Sequence, residues 1–229
     1  MNKDTKLAEV VRQYPQLMEI FNDLSIDYCC GGKDSLQQAA AKGNYEVESL
    51  LELLERKAQE GEGATEMGLE LEAFEALSLE EMVKSLRLTH HRYERELMEE
   101  ISKDLNKILV VHYPNHKNLL LQVHHLYGLL KMELEEHFAG EEQESFPWML
   151  ERDPSKVDAI LELEEDHEAA GDLIKEILDA TKNLSLPQGA CATFERTYRN
   201  LRLLFDDIFV HIYKENSIMF PKYRKEMTP

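Results

Sequence analysis

Two stretches near the end of the chain decide its fold: HFAGEEQESFPWML at residues 137–150 and HIYKENSIMFPKYR at residues 211–224. Both follow the pattern His-x3-Glu-x4-Phe-Pro. Each stretch is preceded by a further histidine: His91 lies 46 residues before His137, and His167 lies 44 residues before His211. The repeat predicts two helical hairpins of the same plan, each carrying one histidine and then a His-x3-Glu pair.

The rest of the chain also favours helices. Apolar residues recur at helical spacing and alternating β-branched patterns are nearly absent. Four long helical segments are predicted, over about 78–112, over about 117–140, after Asp153-Pro154 to about 183, and after Pro187-Gln188-Gly189 to about 215. Short connections between long helices favour antiparallel neighbours. The prediction is therefore an all-α protein whose C-terminal part, 77–229, is an antiparallel four-helix bundle.

The first 60 residues predict a separate, small helical domain. Its apolar helical stripes are interrupted at 27–32 by Asp-Tyr-Cys-Cys-Gly-Gly, where the paired glycines indicate a turn. From 61 to 76 the chain is rich in glutamate and contains Gly61, Gly63 and Gly68. This composition is typical of a flexible connection, so we predict that 61–76 is a linker.

The charge of the chain excludes several kinds of partner. There are 26 Lys and Arg against 45 Asp and Glu, a formal net charge of −19. A protein this acidic is repelled by phosphate backbones and by anionic membranes, so we expect no nucleic-acid or membrane partner. The N-terminus has no continuous apolar segment of the kind found in signal peptides, which predicts a cytoplasmic location. Three cysteines are too few for a disulfide scaffold.

The repeated pair predicts a metal site. Residues four apart lie on one face of a helix, so the histidine and the glutamate of each pair can address one site. Together with the upstream histidines, two hairpins bring four imidazoles and two carboxylates into one bundle. Such a donor set suits iron or manganese better than structural zinc. It also differs from ferritin-like bundles, which use Glu-x-x-His.

Either of two neighbouring histidines, His90 or His91, can be the first ligand in the sequence. His91 lies on one apolar stripe with Met98 and Leu105, which favours it as the inward-facing ligand. His90 lies on an adjacent stripe and stays possible. His112 shares the stripe of His91, but it lies about 31 Å further along a continuous helix. We therefore leave His112 out of the metal set.

These motifs resemble the iron–sulfur cluster repair di-iron proteins, the RIC family, whose C-terminal part is a hemerythrin-like domain. The resemblance covers nearly the whole chain. Its motifs here are Asp-Tyr-Cys-Cys-Gly-Gly at 27–32, His-His at 90–91, His-x3-Glu-Glu at 137–142, Asp-His-Glu at 166–168, Pro-Gln-Gly-Ala-Cys at 187–191 and His-x3-Glu-Asn at 211–216. One departure is Gly140, which either loosens the ligand turn or allows close packing.

The resemblance implies a cofactor of two non-haem iron ions, bridged by oxygen and by carboxylates. The implied ligands are four terminal histidines and two bridging glutamates: His91, His137, His167, His211, Glu141 and Glu215. The implied function is repair of iron–sulfur clusters damaged by oxidative or nitrosative stress, by donation of iron. Implied partners are iron–sulfur proteins or their assembly machinery, with nitric oxide or O2 as a small ligand, and a homodimer is expected.

Cys29 and Cys30 are adjacent, and adjacent cysteines rarely pair with each other because their Cα atoms are only about 3.8 Å apart. We interpret them as candidate reactive thiols that handle iron or its ligand; the alternative is two small apolar residues in a turn. Cys191 is expected to pack in an apolar context. Two other functions stay open beside repair: an O2- or nitric oxide-binding sensor, and an enzyme that reduces nitric oxide.

Overall fold

The protein is all-α in a computed structural model that describes residues 1–29, 31–60 and 65–227, with the backbone alone over 161–166. No β-strand occurs in the described ranges. The α-helices are α1 Leu7–Gln13, α2 Leu17–Asp23, α3 Leu36–Gly43, α4 Val47–Glu60, α5 Glu66–Glu75, α6 Leu79–Leu86, α7 Arg92–Gly140, α8 Phe146–Glu151, α9 Val157–Thr181, α10 Ala192–Lys214 and α11 Phe220–Met227. Short 3-10 turns form at Gly31–Lys33 and Pro154–Lys156. No helix of the described chain is long and apolar enough to cross a bilayer.

Two compact units divide the chain: residues 83–208 form one, and residues 1–82 with 209–229 form the other. In the unit of residues 83–208, two of the helices predicted for the bundle are the arms of α7. The arms join at His116, whose backbone leaves the helical region (φ −131°, ψ 26°) two residues after Pro114. A proline inside a helix removes one backbone hydrogen bond and bends the axis. The chain therefore turns at the position where the sequence predicts a break between two helices.

Side-chain bonds fix the two arms of α7 as an antiparallel hairpin. Tyr127 donates its phenol hydrogen to the carbonyl oxygen of Met98 at 2.6 Å. Further from the bend at His116, Arg95 donates a hydrogen bond of 3.0 Å to the carboxylate of Glu135. The residue numbers rise on one arm while they fall on the other, as antiparallel packing requires.

The part of α10 inside this unit lies antiparallel to the first arm of α7. Arg196 donates two hydrogen bonds, of 2.7 and 2.6 Å, to the carboxylate of Asp104. One turn further on, Asn200 donates to Glu100 at 3.1 Å. Two parallel N–H···O bonds to one carboxylate fix direction as well as distance. This pairing sets the register in which α10 faces α7.

The second unit holds the small helical domain. Ser35 starts α3 with a reciprocal capping box, in which the Ser35 hydroxyl accepts from the Gln38 amide and the Gln38 side chain accepts from the Ser35 amide. Tyr28 is buried with its ring 6.2 Å from Phe209 and 6.1 Å from Tyr213. These aromatic contacts attach Tyr28 to the final segment of the chain within this unit.

A helix forms inside the stretch that the sequence predicts as a linker. Thr65 caps α5 by accepting a hydrogen bond from the amide of Gly68 at 3.1 Å. Leu71 and Phe74 bury one face of α5 in the second unit. Glutamate is a good helix former. A glutamate-rich stretch can therefore form a helix when the apolar residues on one of its faces are buried. Residues 61–64 of the predicted linker lie outside the described residues.

Candidate metal centre

One glutamate oxygen lies between two histidine rings in the unit of residues 83–208. Oε2 of Glu141 is 3.2 Å from Nε2 of His91 and 3.2 Å from Nε2 of His137. Glu141 is completely buried, and both imidazoles are shielded from solvent almost as fully. A buried carboxylate is costly unless cationic groups or a metal compensate its charge. Two imidazole nitrogens facing one carboxylate oxygen form a donor arrangement that suits a cation.

His167 adds a third nitrogen donor to this cluster. Its Nε2 lies 3.2 Å from Nε2 of His137, although the two residues are on different helices, α9 and α7. The ligand atoms of His137, Glu141 and His167 all lie within 4.8 Å of one another. Ligands that bind one ion at about 2.0–2.2 Å come this close together.

The second repeated pair is built in the same way in the other unit. Nε2 of His211 lies 3.3 Å from Oε1 of Glu215, four residues further along the helix. Both side chains are buried, Glu215 completely. The structure thus brings His91, His137, His167 and Glu141 together within one unit, and His211 with Glu215 within the other.

Three π-helical turns mark the ends of the helices that carry these ligands. They are Arg87–His91, Glu141–Ser145 and Glu215–Met219. His91 closes the first, and Glu141 and Glu215 open the other two. A π-helical turn is rare and is frequently found at functional sites.

The Phe-Pro half of each repeat explains the π-helical turns of the last two sites. Pro147 and Pro221 come two residues after the ends of these turns, at the second position of α8 and of α11. Proline has no amide hydrogen for the i−4 carbonyl, so regular α-helical bonding cannot continue through it. The sequence showed the repeated proline, but its link to a wider helical turn required the structure.

Glu142 orients the first histidine. Its Oε1 lies 2.8 Å from Nδ1 of His91 and accepts a second hydrogen bond of 2.8 Å from Arg95. Burial raises the pKa of Glu142, but the hydrogen bonds from His91 and Arg95 outweigh it and hold that pKa below its usual range. The ring of His91 also stacks on Phe138, with centroids 4.6 Å apart. A carboxylate on one imidazole nitrogen fixes the tautomer that leaves the other nitrogen free to bind metal.

The family follows from a comparison of the sequence. A family model described as "Hemerythrin HHE cation binding domain" matches residues 82–223. The chain belongs to the hemerythrin HHE family. A second model, described as "Domain of Unknown function (DUF542)" and named ScdA_N, matches residues 3–58. The first match lies within the predicted range 77–229 and the second within the predicted range 1–60.

Curated relatives resemble this hemerythrin HHE protein along almost its whole length. "Iron-sulfur cluster repair protein ScdA" of Staphylococcus epidermidis is 28% identical over 228 residues, which are 97% of this chain and 99% of the relative. "Iron-sulfur cluster repair protein YtfE" of Escherichia coli O8 is 29% identical over 221 residues, 96% of each chain. The resemblance to the RIC family is therefore confirmed.

The two histidines left open by the sequence lie at different places in the hemerythrin HHE unit. His91 lies at Glu141, whereas Nδ1 of His90 lies 2.9 Å from Oδ2 of Asp207. Nε2 of His112 lies 3.2 Å from Sγ of Cys191. The structure thus places His91, the residue favoured by the apolar stripe, at the candidate metal centre.

Cys191 differs from its expected packing role because it is exposed. The hydrogen bond with His112, together with the backbone amides of Phe194 and Thr193 at the start of α10, lowers the pKa of its thiol to about 7. Helix N-termini and imidazoles stabilise thiolates in this way. Sequence reasoning missed the pair because its members lie 79 residues apart.

Of the two candidate reactive thiols, only Cys29 can be placed, since Cys30 lies outside the described residues. Cys29 is buried, and its thiol donates a hydrogen bond of 3.2 Å to Asp27. Its carbonyl oxygen accepts from the Asn216 side chain at 3.3 Å. Asn216 follows Glu215 directly, so in this unit Cys29 contacts the segment of the second repeated pair.

Proposed function

We propose that this hemerythrin HHE protein holds two non-haem iron ions and uses its iron to repair iron–sulfur clusters damaged by oxidative or nitrosative stress. The observation that carries the proposal is the Glu141 oxygen that lies 3.2 Å from both His91 and His137. A carboxylate in this position can bridge two metal ions, each ion having one of the histidines as a ligand.

Six residues would hold the two ions. Glu141 and Glu215 are the bridging carboxylates, and the terminal ligands are His91, His137, His167 and His211. Within residues 83–208 the proposal rests on the distances that join four of the six. For His211 and Glu215 it rests on the repeated motif, on their burial and on a family match that runs through both units.

Iron fits this donor set better than the common alternatives. Imidazole and carboxylate ligands without a thiolate suit iron and manganese, and the set lacks the cysteines typical of structural zinc. The bound pair, with the expected oxo and carboxylate bridges, would supply redox chemistry and exchangeable iron. The chain's own residues supply the rest: Glu142 orients His91, and burial keeps bulk water from the carboxylates.

Cluster repair is the function that the relatives favour, because those named above are iron–sulfur cluster repair proteins. Iron held by nitrogen and oxygen donors can leave when a ligand takes up a proton, since metal binding requires deprotonated ligands. The partners in this account are damaged iron–sulfur proteins or their assembly machinery. The expected cytoplasmic location and homodimer stay predictions.

A repair assay tests the proposal. Iron-loaded protein is mixed anaerobically with an iron–sulfur enzyme whose cluster has been damaged by nitric oxide, and the recovery of that enzyme's activity is followed. We expect the natural chain to restore activity and Glu141→Leu to restore little. Glu144→Gln is the matched control, since Glu144 is an exposed glutamate on the same π-helical turn. Equal recovery with the Glu141→Leu variant, or recovery no greater than with free ferrous iron, would contradict the proposal.

The same samples separate repair from the other two functions. A sensor would bind nitric oxide reversibly without restoring the damaged enzyme. A nitric oxide reductase would consume nitric oxide repeatedly when an electron donor is present. Recovery without such turnover is the result that the repair proposal predicts.

A further inference from the structure

A second cluster of metal-ligating groups lies in the unit of residues 83–208. Nδ1 of His90 is 2.9 Å from Oδ2 of Asp207, and Glu94 supplies a third group. The ligand atoms of His90, Glu94 and Asp207 all lie within 4.8 Å of one another. We propose that these three residues form a separate, mononuclear site for a divalent cation.

The sequence spacing is the one already found in the two repeated pairs. His90 and Glu94 are four residues apart, and Asp207 on α10 faces them. His90 faces Asp207, whereas its neighbour His91 faces Glu141, so the two histidines address different carboxylates. None of the three residues belongs to the proposed iron ligands.

The charge of the cluster favours a cation. Glu94 is completely buried, His90 is 4% exposed, and the side chain of Asp207 is 22% exposed. Two carboxylates and one imidazole have a negative summed formal charge even when the imidazole is protonated. A divalent ion bound by all three groups brings opposite charge to these two carboxylates in a region of low dielectric.

The donor set also indicates which ions fit. One imidazole nitrogen with two carboxylate oxygens suits Mn2+ or Fe2+, and it lacks the soft thiolates that copper(I) or zinc would favour. Three protein ligands leave positions for water, so the ion is exchangeable. Asp207 is the only partly exposed member, and it is therefore the side from which an ion reaches the cluster.

Manganese titration of the full-length, metal-free protein tests the proposal. Free Mn2+ is measured by electron paramagnetic resonance as the ion is added to each variant. Glu94→Gln and Asp207→Asn each keep the size of the side chain and remove a carboxylate. We expect each variant to bind one ion fewer per chain than the natural protein, or to bind that ion about tenfold more weakly.

Matched controls make the result specific. Glu96→Gln removes a largely exposed carboxylate two residues further along the same helix, and it should leave the titration unchanged. Circular dichroism reports folding of every variant, and Asp207→Asn changes a partly exposed residue, so one variant stays informative if Glu94→Gln does not fold. Unchanged binding in Asp207→Asn would overturn the proposal. Simultaneous loss of every bound ion would also overturn it, because the cluster would then support another site instead of binding an ion itself.

The titration does not depend on the proposed function. In Glu141→Leu the iron ligand set is broken, while His90, Glu94 and Asp207 are unaltered. We expect this variant to keep the one ion that Asp207→Asn loses. Failure of the di-iron proposal would show as a lack of change in Glu141→Leu, which leaves the comparison between Asp207→Asn and its control intact.

Discussion

Replacing Glu142 by glutamine should weaken metal binding although Glu142 is not a proposed ligand. Its carboxylate accepts hydrogen bonds of 2.8 Å from both His91 and Arg95. Glutamine keeps the shape and one acceptor oxygen but removes the negative charge. The amide can also turn its NH2 group toward His91, which would favour the wrong imidazole tautomer. Both effects reduce the fraction of His91 rings that are ready to bind.

The size of the effect follows from the contacts. A hydrogen bond to a charged group contributes about 1.5–3 kcal/mol, and about 1.4 kcal/mol corresponds to a tenfold change in affinity. The Glu142 side chain is 18% exposed, so water screens part of its charge and the lower end applies. Arg95 keeps its 3.0 Å bond to Glu135, so its own charge stays compensated. We expect metal affinity to fall about 10- to 30-fold, within the range usual for residues that orient a metal ligand.

A competition titration measures this change. Natural protein, Glu142→Gln and Glu144→Gln are titrated anaerobically with ferrous iron against a chelating indicator of known affinity. Glu144 is exposed and lies two residues along the same π-helical turn, so it matches the loss of charge without the bond to His91. If Glu142→Gln binds iron as tightly as Glu144→Gln, His91 is not oriented by Glu142 and the reasoning fails.

Three further results are expected. The rate at which Cys191 reacts with a thiol reagent should rise with pH through about 7, and in His112→Ala the midpoint should move toward 9, the ordinary value; an unchanged midpoint in that variant would mean that His112 does not stabilise the thiolate. Tyr127→Phe removes the 2.6 Å hydrogen bond to Met98 and should lower the free energy of unfolding in urea by about 1–2 kcal/mol. Burial raises the pKa of Tyr127 in the folded protein. The two proteins should therefore differ in free energy of unfolding by the full amount below a pH of about 10, and by less above it, where Tyr127 ionises first in the unfolded chain. A constant difference up to a pH of about 11 would contradict the raised pKa. Gly140→Ala should raise the free energy of unfolding by about 0.5–1 kcal/mol, because an added Cβ meets nothing within 4 Å; destabilisation would show that the ligand turn needs a glycine.

Much of the fold could be predicted because its signals are local. Helices α9 and α10 begin within two residues of their predicted first residues, and Pro114 marks the bend between the arms of α7. The internal repeat also picked out His137, Glu141 and His167, which the structure brings together. These features depend on helical spacing and on proline, and both can be recognised in a single sequence.

Other features of the site depend on contacts between distant parts of the chain. In the sequence Glu142 is one of several acidic residues in its helix. Nothing local indicates that the fold places it beside His91, which is 51 residues away. The thiol of Cys191 reads as an apolar group until His112 is placed beside it. Helix α5 was missed because the burial of Leu71 and Phe74 depends on the tertiary fold and not on the acidic, glycine-containing sequence around them. Local pattern cannot supply any of these partners.

The most direct test of the central claim is the iron content of anaerobically purified, reconstituted protein, with absorption spectra recorded before and after exposure to air. The account predicts two irons per chain that resist removal by desalting and show the bands of an oxo-bridged pair in air. It also predicts that Glu141→Leu loses the bridged-iron spectrum. One iron or none per chain after reconstitution, or the same spectrum in Glu141→Leu, would contradict the claim that the repeated His-x3-Glu motif holds a di-iron centre.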